Sequence, residues 1–222
     1  VAPPGSGGAP VRVLHVGKFY PPVRGGMETV LQLLCQAADD GIRQGVLVAN
    51  TRPRTERGRG GDGVEVTRVA SLGRVGTVGV CPTLPRWMRR LAGDVVVLHE
   101  PNPMGFWAYL LARPTGRLVV WLHSELVLDR WYYRLYRPFL RRALRRADRV
   151  VVSSPPLRER LALAEGLGER TVVIPYGIDT RRLRPTADTL ARAETLRARH
   201  RGPLVLFVGR LVAYKGVAVL LR

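Results

Sequence analysis

Apolar positions along the chain fall into short β-branched runs separated by longer stretches with helical spacing, and that alternation predicts the fold. Strand-like runs occupy residues 11–16, 44–49, 64–69, 94–99, 117–123, 149–153 and 171–175. Helical patterns lie between most of them, at residues 27–38, 104–112, 131–147 and 156–165, with a further one at 85–91. Strands this apolar have no polar face to turn toward water, so both faces of their sheet must be covered. The expectation is an α/β fold, a Rossmann-like, doubly wound and mostly parallel sheet over residues 11–178. A Pro/Gly/Ser-rich lead, residues 1–10, reads as disordered, and residues 52–63 as a polar, glycine-rich loop.

The pattern changes after residue 178. Residues 179–203 are rich in Arg, Ala and Thr with a weak helical pattern and read as a connector. Residues 204–208 form an apolar run that reads as a buried strand, followed by Gly209, Arg210, Lys215 and Gly216 and a helix beginning at Val217. The expectation is the first strand and the start of a helix of a second, truncated Rossmann-like domain over residues 204–222.

Composition adds an anionic partner to consider. The 222 residues carry a formal charge of +19, but only Lys18 and Lys215 are lysines, so 34 of the 36 basic residues are arginine. Such lopsided usage fits coding bias as well as a selected surface field, and the charge is discounted accordingly. Cys35 and Cys81 supply neither a disulfide framework nor a metal quartet, which favours a reduced, cytoplasmic setting. The longest apolar runs fall far below the ~20 residues of a membrane span, so membrane contact is expected to be peripheral. The first residue is Val1 rather than Met, which points to missing residues or a non-standard start.

Candidate chemistry gathers at predicted strand ends. In open α/β sheets ligands bind beyond the carboxyl ends of strands, and free helix N-terminal N–H groups attract phosphate. Gly25 and Gly26 precede a predicted helix after the first strand, where missing side chains let a diphosphate approach the backbone; the alternative is a tight turn. Arg210 and Lys215 add two cations to a second anion loop. His123, Ser124 and Glu125 end one strand run and His99 and Glu100 another, the alternative being structural caps. His15, inside a strand run, and His200, in the connector, are read as non-functional. No metal-ligand spacing, G-x-G-x-x-G fingerprint or G-x-S-x-G elbow occurs. Residues 131–147 place Tyr132, Tyr136, Phe139, Leu140, Ala143 and Leu144 on one helical face, with Arg134, Arg137, Arg141, Arg145 and Arg146 on the rest. That suits an anionic membrane surface, or a crossover helix with a solvated basic face, the reading favoured here. Pro138 is expected to kink the helix or to start a fresh one.

The glycine pair, His123, the segments ADRVVVSS and VIPYGID, and FVGRLVAYKG, in this order, resemble glycosyltransferase family 4 over nearly the whole chain. The resemblance implies the GT-B fold, two Rossmann-like domains, of which residues 11–178 are the acceptor-side one. It implies a retaining, metal-independent transferase that uses no cofactor and takes a sugar from a nucleotide-diphosphate donor. Arg210 and Lys215 are then catalytic residues that bind the donor diphosphate and stabilise it as it leaves. Gly25 and Gly26 cradle the same diphosphate, and His123 stands near the donor sugar. His99, Glu100 and Glu125 are candidates for acceptor or sugar contacts. The motif HSE with LYRPFLRRALRRADR further resembles members that build bacterial cell-surface polysaccharide, which implies mannose or rhamnose transfer to a glycan or lipid-linked acceptor at the cytoplasmic membrane face.

The chain departs from the family pattern at Tyr176, where Asn is frequent, and at Ala213 and Tyr214, where Pro-Glu is frequent. The E-x(7)-E region that contacts the donor sugar is absent, and the 222 residues alone are expected to be nearly inactive. Two other classes stay open: a non-catalytic acceptor-binding or scaffold domain, and a basic nucleic-acid-binding module without a recognised motif for specificity.

Overall fold

The computed structural model describes residues 9–222 except 62, 77, 125–130, 166, 179, 201, 210 and 212–214, and leaves the side chains of residues 131–135, 161–165 and 182 undescribed. The chain divides into two compact units, Val1–Gly177 and Ile178–Arg222.

In the first unit, β1 (Val11–Val16), β2 (Ile42–Ala49), β4 (Glu65–Val69), β7 (Val95–Glu100), β8 (Arg117–Leu122), β9 (Arg149–Val152) and β10 (Thr171–Val173) run parallel to one another. An antiparallel edge strand, β3 (Glu56–Arg59), completes an eight-stranded sheet of order β10-β9-β8-β7-β1-β2-β4-β3. The order reverses between β1 and β7, which makes their carboxyl ends the switch point of a doubly wound sheet. A small hairpin, β5 (Arg74–Val75) with β6 (Val78–Gly79), stands apart from the sheet.

Alternate residues of each strand serve opposite faces. Leu14, Val16, Leu47, Val96, Leu98, Val120, Leu122 and Val152 pack on one face. Against them lie Met88 of α2 (Leu84–Leu91), Phe106 and Ala108 of α3 (Pro103–Ala112), and Leu140, Ala143 and Leu144 of α4 (Trp131–Arg146). On the other face α1 (Gly26–Gln36) covers Val46, Val48 and Val66 with Leu31 and Cys35. Beyond α1, Val97, Trp121 and Val151 make a separate cluster. A last helix of this unit, α5 (Pro155–Glu165), precedes β10.

Several expectations are corrected. The polar loop at 52–63 contains β3, whose backbone pairs with the otherwise open edge of β4 although its side chains are mostly exposed. Helix α4 runs through Pro138 without restarting there, with Tyr136, Leu140, Ala143 and Leu144 all buried on the sheet side. It is therefore a crossover helix. Phe139 departs from the predicted face: it is exposed and lies against Trp107, ring centroids 5.6 Å apart. Tyr132 falls among the undescribed side chains.

In the second unit, residues 204–208 pair with no strand among the described residues, and Leu206 and Val208 are 85% and 84% exposed. A parallel strand is held by neighbours on its edges, and this unit supplies none among the described residues. The connector instead contains a 3₁₀ turn, Thr180–Leu183, and a helix, α6 (Ala187–Arg199), with no buried residue. A short helix, α7 (Val217–Leu220), begins at Gly216, whose φ of 71° is the left-handed conformation that glycine adopts without strain.

Candidate functional site

Side chains of three neighbouring strands converge at the carboxyl end of the sheet. Val13 pairs with Val95 and His99 with Trp121, so His15, His99 and His123 occupy positions of one parity on one face. Each lies two residues further toward the carboxyl ends than the one before. Diagonal neighbours of this kind lie within reach of long side chains. His15 Nδ1 is 2.9 Å from His99 Nε2, and His99 Nδ1 is 2.8 Å from His123 Nε2. His123 Nδ1 is in turn 2.9 Å from the Tyr176 hydroxyl, which also donates to the His123 carbonyl at 3.3 Å. Trp121 stacks on both His99 and His123, centroids 6.0 Å apart in each case.

Burial keeps this row uncharged. His99 is fully buried and His15 nearly so. Loss of water pulls His15 down to about 4, opposed by the Gln44 side chain, and pulls His123 to about 4. His99 falls well below its ordinary range, through burial first and then the two flanking imidazoles. A charged imidazole in this row lacks the hydration that stabilises it in water.

The next residue points to the opposite face. Glu100 is fully buried; its Oε1 accepts from the Asn102 backbone N–H at 2.7 Å and its Oε2 from the Tyr136 hydroxyl at 2.6 Å. Desolvation nevertheless pushes its carboxyl up to about 8, against those two bonds and the nearby Lys18. The carboxyl is therefore protonated at neutral pH. Lys18, on the loop after β1, is lowered by its own burial, while Glu100 and Glu28 hold it up. Lys18 thus joins the switch point as a cation that sequence reasoning passed over.

The glycine loop is more crowded than an open cradle. At Gly17 a Cβ meets Leu31 Cδ2 at 2.9 Å, so this glycine lets α1 pack close to the loop. At Gly25 a Cβ lands on the Glu28 carboxylate, which already fills that space at the helix N-terminus. A carboxylate in the first turn favours the helix dipole by about 0.3–1 kcal/mol at exposed sites, and it also occupies the anion position. Around Gly26 the corresponding space is open.

Of the sequence candidates, His99, Glu100 and His123 come together at the carboxyl ends of β7 and β8, with His99 and Glu100 on opposite faces. Gly25 and Gly26 begin α1 at the switch point. Lys215 lies in the second unit, exposed, just before Gly216. Glu125 and Arg210 lie outside the described residues. Sequence reasoning missed His15 and Tyr176 as members of the histidine row; strand parity was the available signal for the first. Among the described residues no group of three or more His, Cys, Asp or Glu is arranged to hold a metal ion. A cavity of about 480 Å³ opens elsewhere, at the amino ends of β1, β2 and β4, lined by Arg12, Arg43, Arg57, Arg59 and Glu65. It lies at the end of the sheet that open α/β folds do not use for ligands.

A doubly wound sheet with its polar cluster at the switch point is a Rossmann-like domain, the fold that GT-B glycosyltransferases share. Solved structures agree. Anabaena HepE, crystallised in complex with UDP, matches 85% of this chain and 49% of its own at TM-score 0.57 and 19% identity. Sucrose-phosphate synthase from Thermosynechococcus elongatus matches 83% and 52% at TM-score 0.55 and 15% identity. The profile of Glycosyltransferase Family 4 matches residues 24–182, and the chain belongs to that family. Similar relatives are the O-antigen chain mannosyltransferase C of Escherichia coli, 29% identical over 95% of this chain, and the D-rhamnosyltransferase WbpZ of Pseudomonas aeruginosa, 32% identical over 95%. The chain spans 57% and 56% of these relatives' lengths.

Proposed function

We propose that this chain is the acceptor-side part of a retaining glycosyltransferase. It moves a hexose, mannose or rhamnose, from a nucleotide-diphosphate sugar to a glycan or lipid-linked acceptor of cell-surface polysaccharide, with no bound metal or cofactor. The observation that carries the reading is the polar cluster at the switch point of a family 4 sheet, in a chain whose similar relatives are mannosyl- and rhamnosyltransferases. HepE was also crystallised with UDP-glucose, which supports a nucleotide-sugar ligand.

In this reading the bond from the anomeric carbon to the diphosphate breaks as the acceptor oxygen attacks from the same face. The acceptor's proton passes to the departing phosphate oxygen. Arg210 and Lys215 offset the growing negative charge, each charge-assisted bond contributing about 1.5–3 kcal/mol. The backbone at Gly26, where space is open, receives the diphosphate more readily than Gly25, which faces Glu28. Glu100, fully buried and protonated at neutral pH, supports the switch point through Asn102 and Tyr136 and is not a carboxylate base.

Exposed Trp107, Leu111 and Phe139, beside Arg142 and Arg146 of α4, form the face that meets the anionic inner leaflet. No described helix is long and apolar enough to cross a membrane. The test is transfer of labelled sugar from GDP-mannose and other nucleotide sugars to a lipid-linked glycan by the full-length protein carrying this sequence. Transfer with retained anomeric configuration, unaffected by chelator, is expected, and loss of transfer in Lys215→Ala with it. Inverted product, or undiminished transfer in Lys215→Ala, contradicts the mechanism.

A further inference from the structure

The histidine row has one hydrogen-bond polarity, and its exposed end sets it. A neutral imidazole offers one donor and one acceptor. The Tyr176 hydroxyl spends its single proton on the His123 carbonyl, so its oxygen accepts from His123 Nδ1–H. His123 Nε2 is then an acceptor and takes the His99 Nδ1 proton; His99 Nε2 likewise takes the proton of His15 Nδ1. Both ring nitrogens of His123 are thereby occupied from within the first unit, and neither is left for a ligand. Tyr176, 39% exposed, is the most exposed member of the row, and His123 is half-buried beneath it.

We propose that His15 and His99 are positioning residues that lock His123 in its Nδ1–H tautomer, and that the Tyr176 hydroxyl caps His123 and is the outward-facing hydrogen-bonding group of the row. Sequence separations of 84, 24 and 53 residues are closed by these three contacts. Burial adds to the lock: loss of water lowers the proton affinity of all three rings, and at His99 the two flanking imidazoles lower it further. Trp121, stacked on two of the rings, keeps them nearly parallel.

The chain has four histidines, so long-range ¹H–¹⁵N spectra of histidine-labelled protein resolve the row against exposed His200. His15, His99 and His123 are each expected as a single neutral Nδ1–H tautomer. Replacing His15 by Leu removes the deepest donor, and His123, two bonds away, is expected to shift toward a mixture of tautomers. In Tyr176→Phe, a conservative change at a partly exposed site, His99 and His15 shift with His123. Unchanged His123 in the first variant, with unchanged His15 and His99 in the second, means that the rings act singly and overturns the lock. Acylation by diethylpyrocarbonate tests the cap. His123 reacts slower than His200 in the native chain, because its unprotonated Nε2 is taken by His99, and faster in Tyr176→Phe, where the tautomer with a free Nδ1 becomes populated. Native reaction as fast as that of His200 overturns it.

The ligand of Tyr176 rests on the glycosyl-transfer reading: it is a sugar hydroxyl, which donates to the phenol oxygen because the Tyr176 proton is already given to the His123 carbonyl. Tyr176→Phe in the full-length protein is expected to raise KM for the nucleotide sugar about three- to tenfold. An unchanged KM removes that contact while the spectra decide the lock separately.

Discussion

Strand β7 and residues 204–208 are near twins in sequence and opposites in structure. Val96 and Leu98 in β7 are 0% and 1% exposed, whereas Leu206 and Val208 are 85% and 84% exposed. Both segments are apolar and β-branched, and both precede a loop of polar candidates. The difference is company: β7 bonds β1 on one edge and β8 on the other, and residues 204–208 bond no strand among the described residues. Strand propensity is mostly the fit of side chains to a half-built sheet. An apolar run therefore predicts a strand only where the rest of the sheet is present.

A charge placed in each twin breaks the comparison if it is wrong. Leu98→Asp buries an unpaired carboxylate between two sheet neighbours and is expected to cost more than about 4 kcal/mol, enough to unfold a marginal domain. Leu206→Asp lies in water already and is expected to stay within about 0.5 kcal/mol of the parent. Thermal unfolding of the first unit, followed by near-ultraviolet dichroism of Trp121 and its neighbours, reads both. Comparable losses in the two variants show that residues 204–208 are buried in solution.

The same contrast explains what was legible. Residues 95–100 announced themselves because two-sided burial leaves a continuous apolar run, and the helices of the first unit because one buried face leaves a 3.6-residue period. Strand β3 was illegible, since Glu56, Arg57, Gly58 and Arg59 present almost no apolar side chain and are held by backbone bonds to β4. His99 and His123 stood out as strand-end residues. His15 did not, because its role comes from register: only the pairing of Val13 with Val95 shows that it climbs the same face as His99. Tyr176 was visible as a departure at a motif position, yet its bond to His123 spans 53 residues and belongs to the loop after β10.

Titration sharpens the comparison, because the buried histidine row and Glu100 all belong to the first unit. The three histidines have lowered folded-state values: the unfolded chain protonates them near 6.5, whereas the folded chain protonates His15 and His123 only around 4 and holds His99 well below its ordinary range. Their stabilisation is complete above about 6.5 and is lost as pH falls from there toward 4. Glu100 has the opposite sign. Raised from 4.5 to about 8, it favours folding at low pH, and that contribution is lost as pH rises through about 8. From 6.5 to 8 only Glu100 acts, and stability falls by about 1.4 kcal/mol per pH unit. From 6.5 down to 4.5 the unfolded chain binds three protons more on histidine and one fewer on the glutamate. Stability then falls by up to about 2.7 kcal/mol per unit. The first unit is thus most stable near pH 6.5. Chemical denaturation between pH 4.5 and 8 measures it, and a flat profile contradicts the burial of the row.

The smallest effect separates the units by how one bond is read out. Asn102 caps α3 and Thr186 caps α6 through the same contact, a side-chain oxygen accepting the backbone N–H three residues on, at 3.2 Å in both. Either cap contributes about 0.5–2 kcal/mol to its helix. Asn102 is buried and α3 is packed in the core, so Asn102→Ala leaves the Gly105 N–H without its partner inside a cooperative unit. Its cost appears as a lower Tm for the whole first unit. Helix α6 has no buried residue and is supported locally, by Asp188 with Arg192 at 3.0 Å and Glu194 with Arg197 at 2.8 Å. Such exposed pairs contribute only about 0.3–0.5 kcal/mol each, so the cap is a large share of what holds α6 together. Thr186→Ala is therefore expected to lower far-ultraviolet helicity at 25 °C while the Tm of the first unit stays fixed. If Thr186→Ala instead shifts that Tm as much as Asn102→Ala does, α6 unfolds together with the sheet and the division of the chain at Gly177 is not a division in stability.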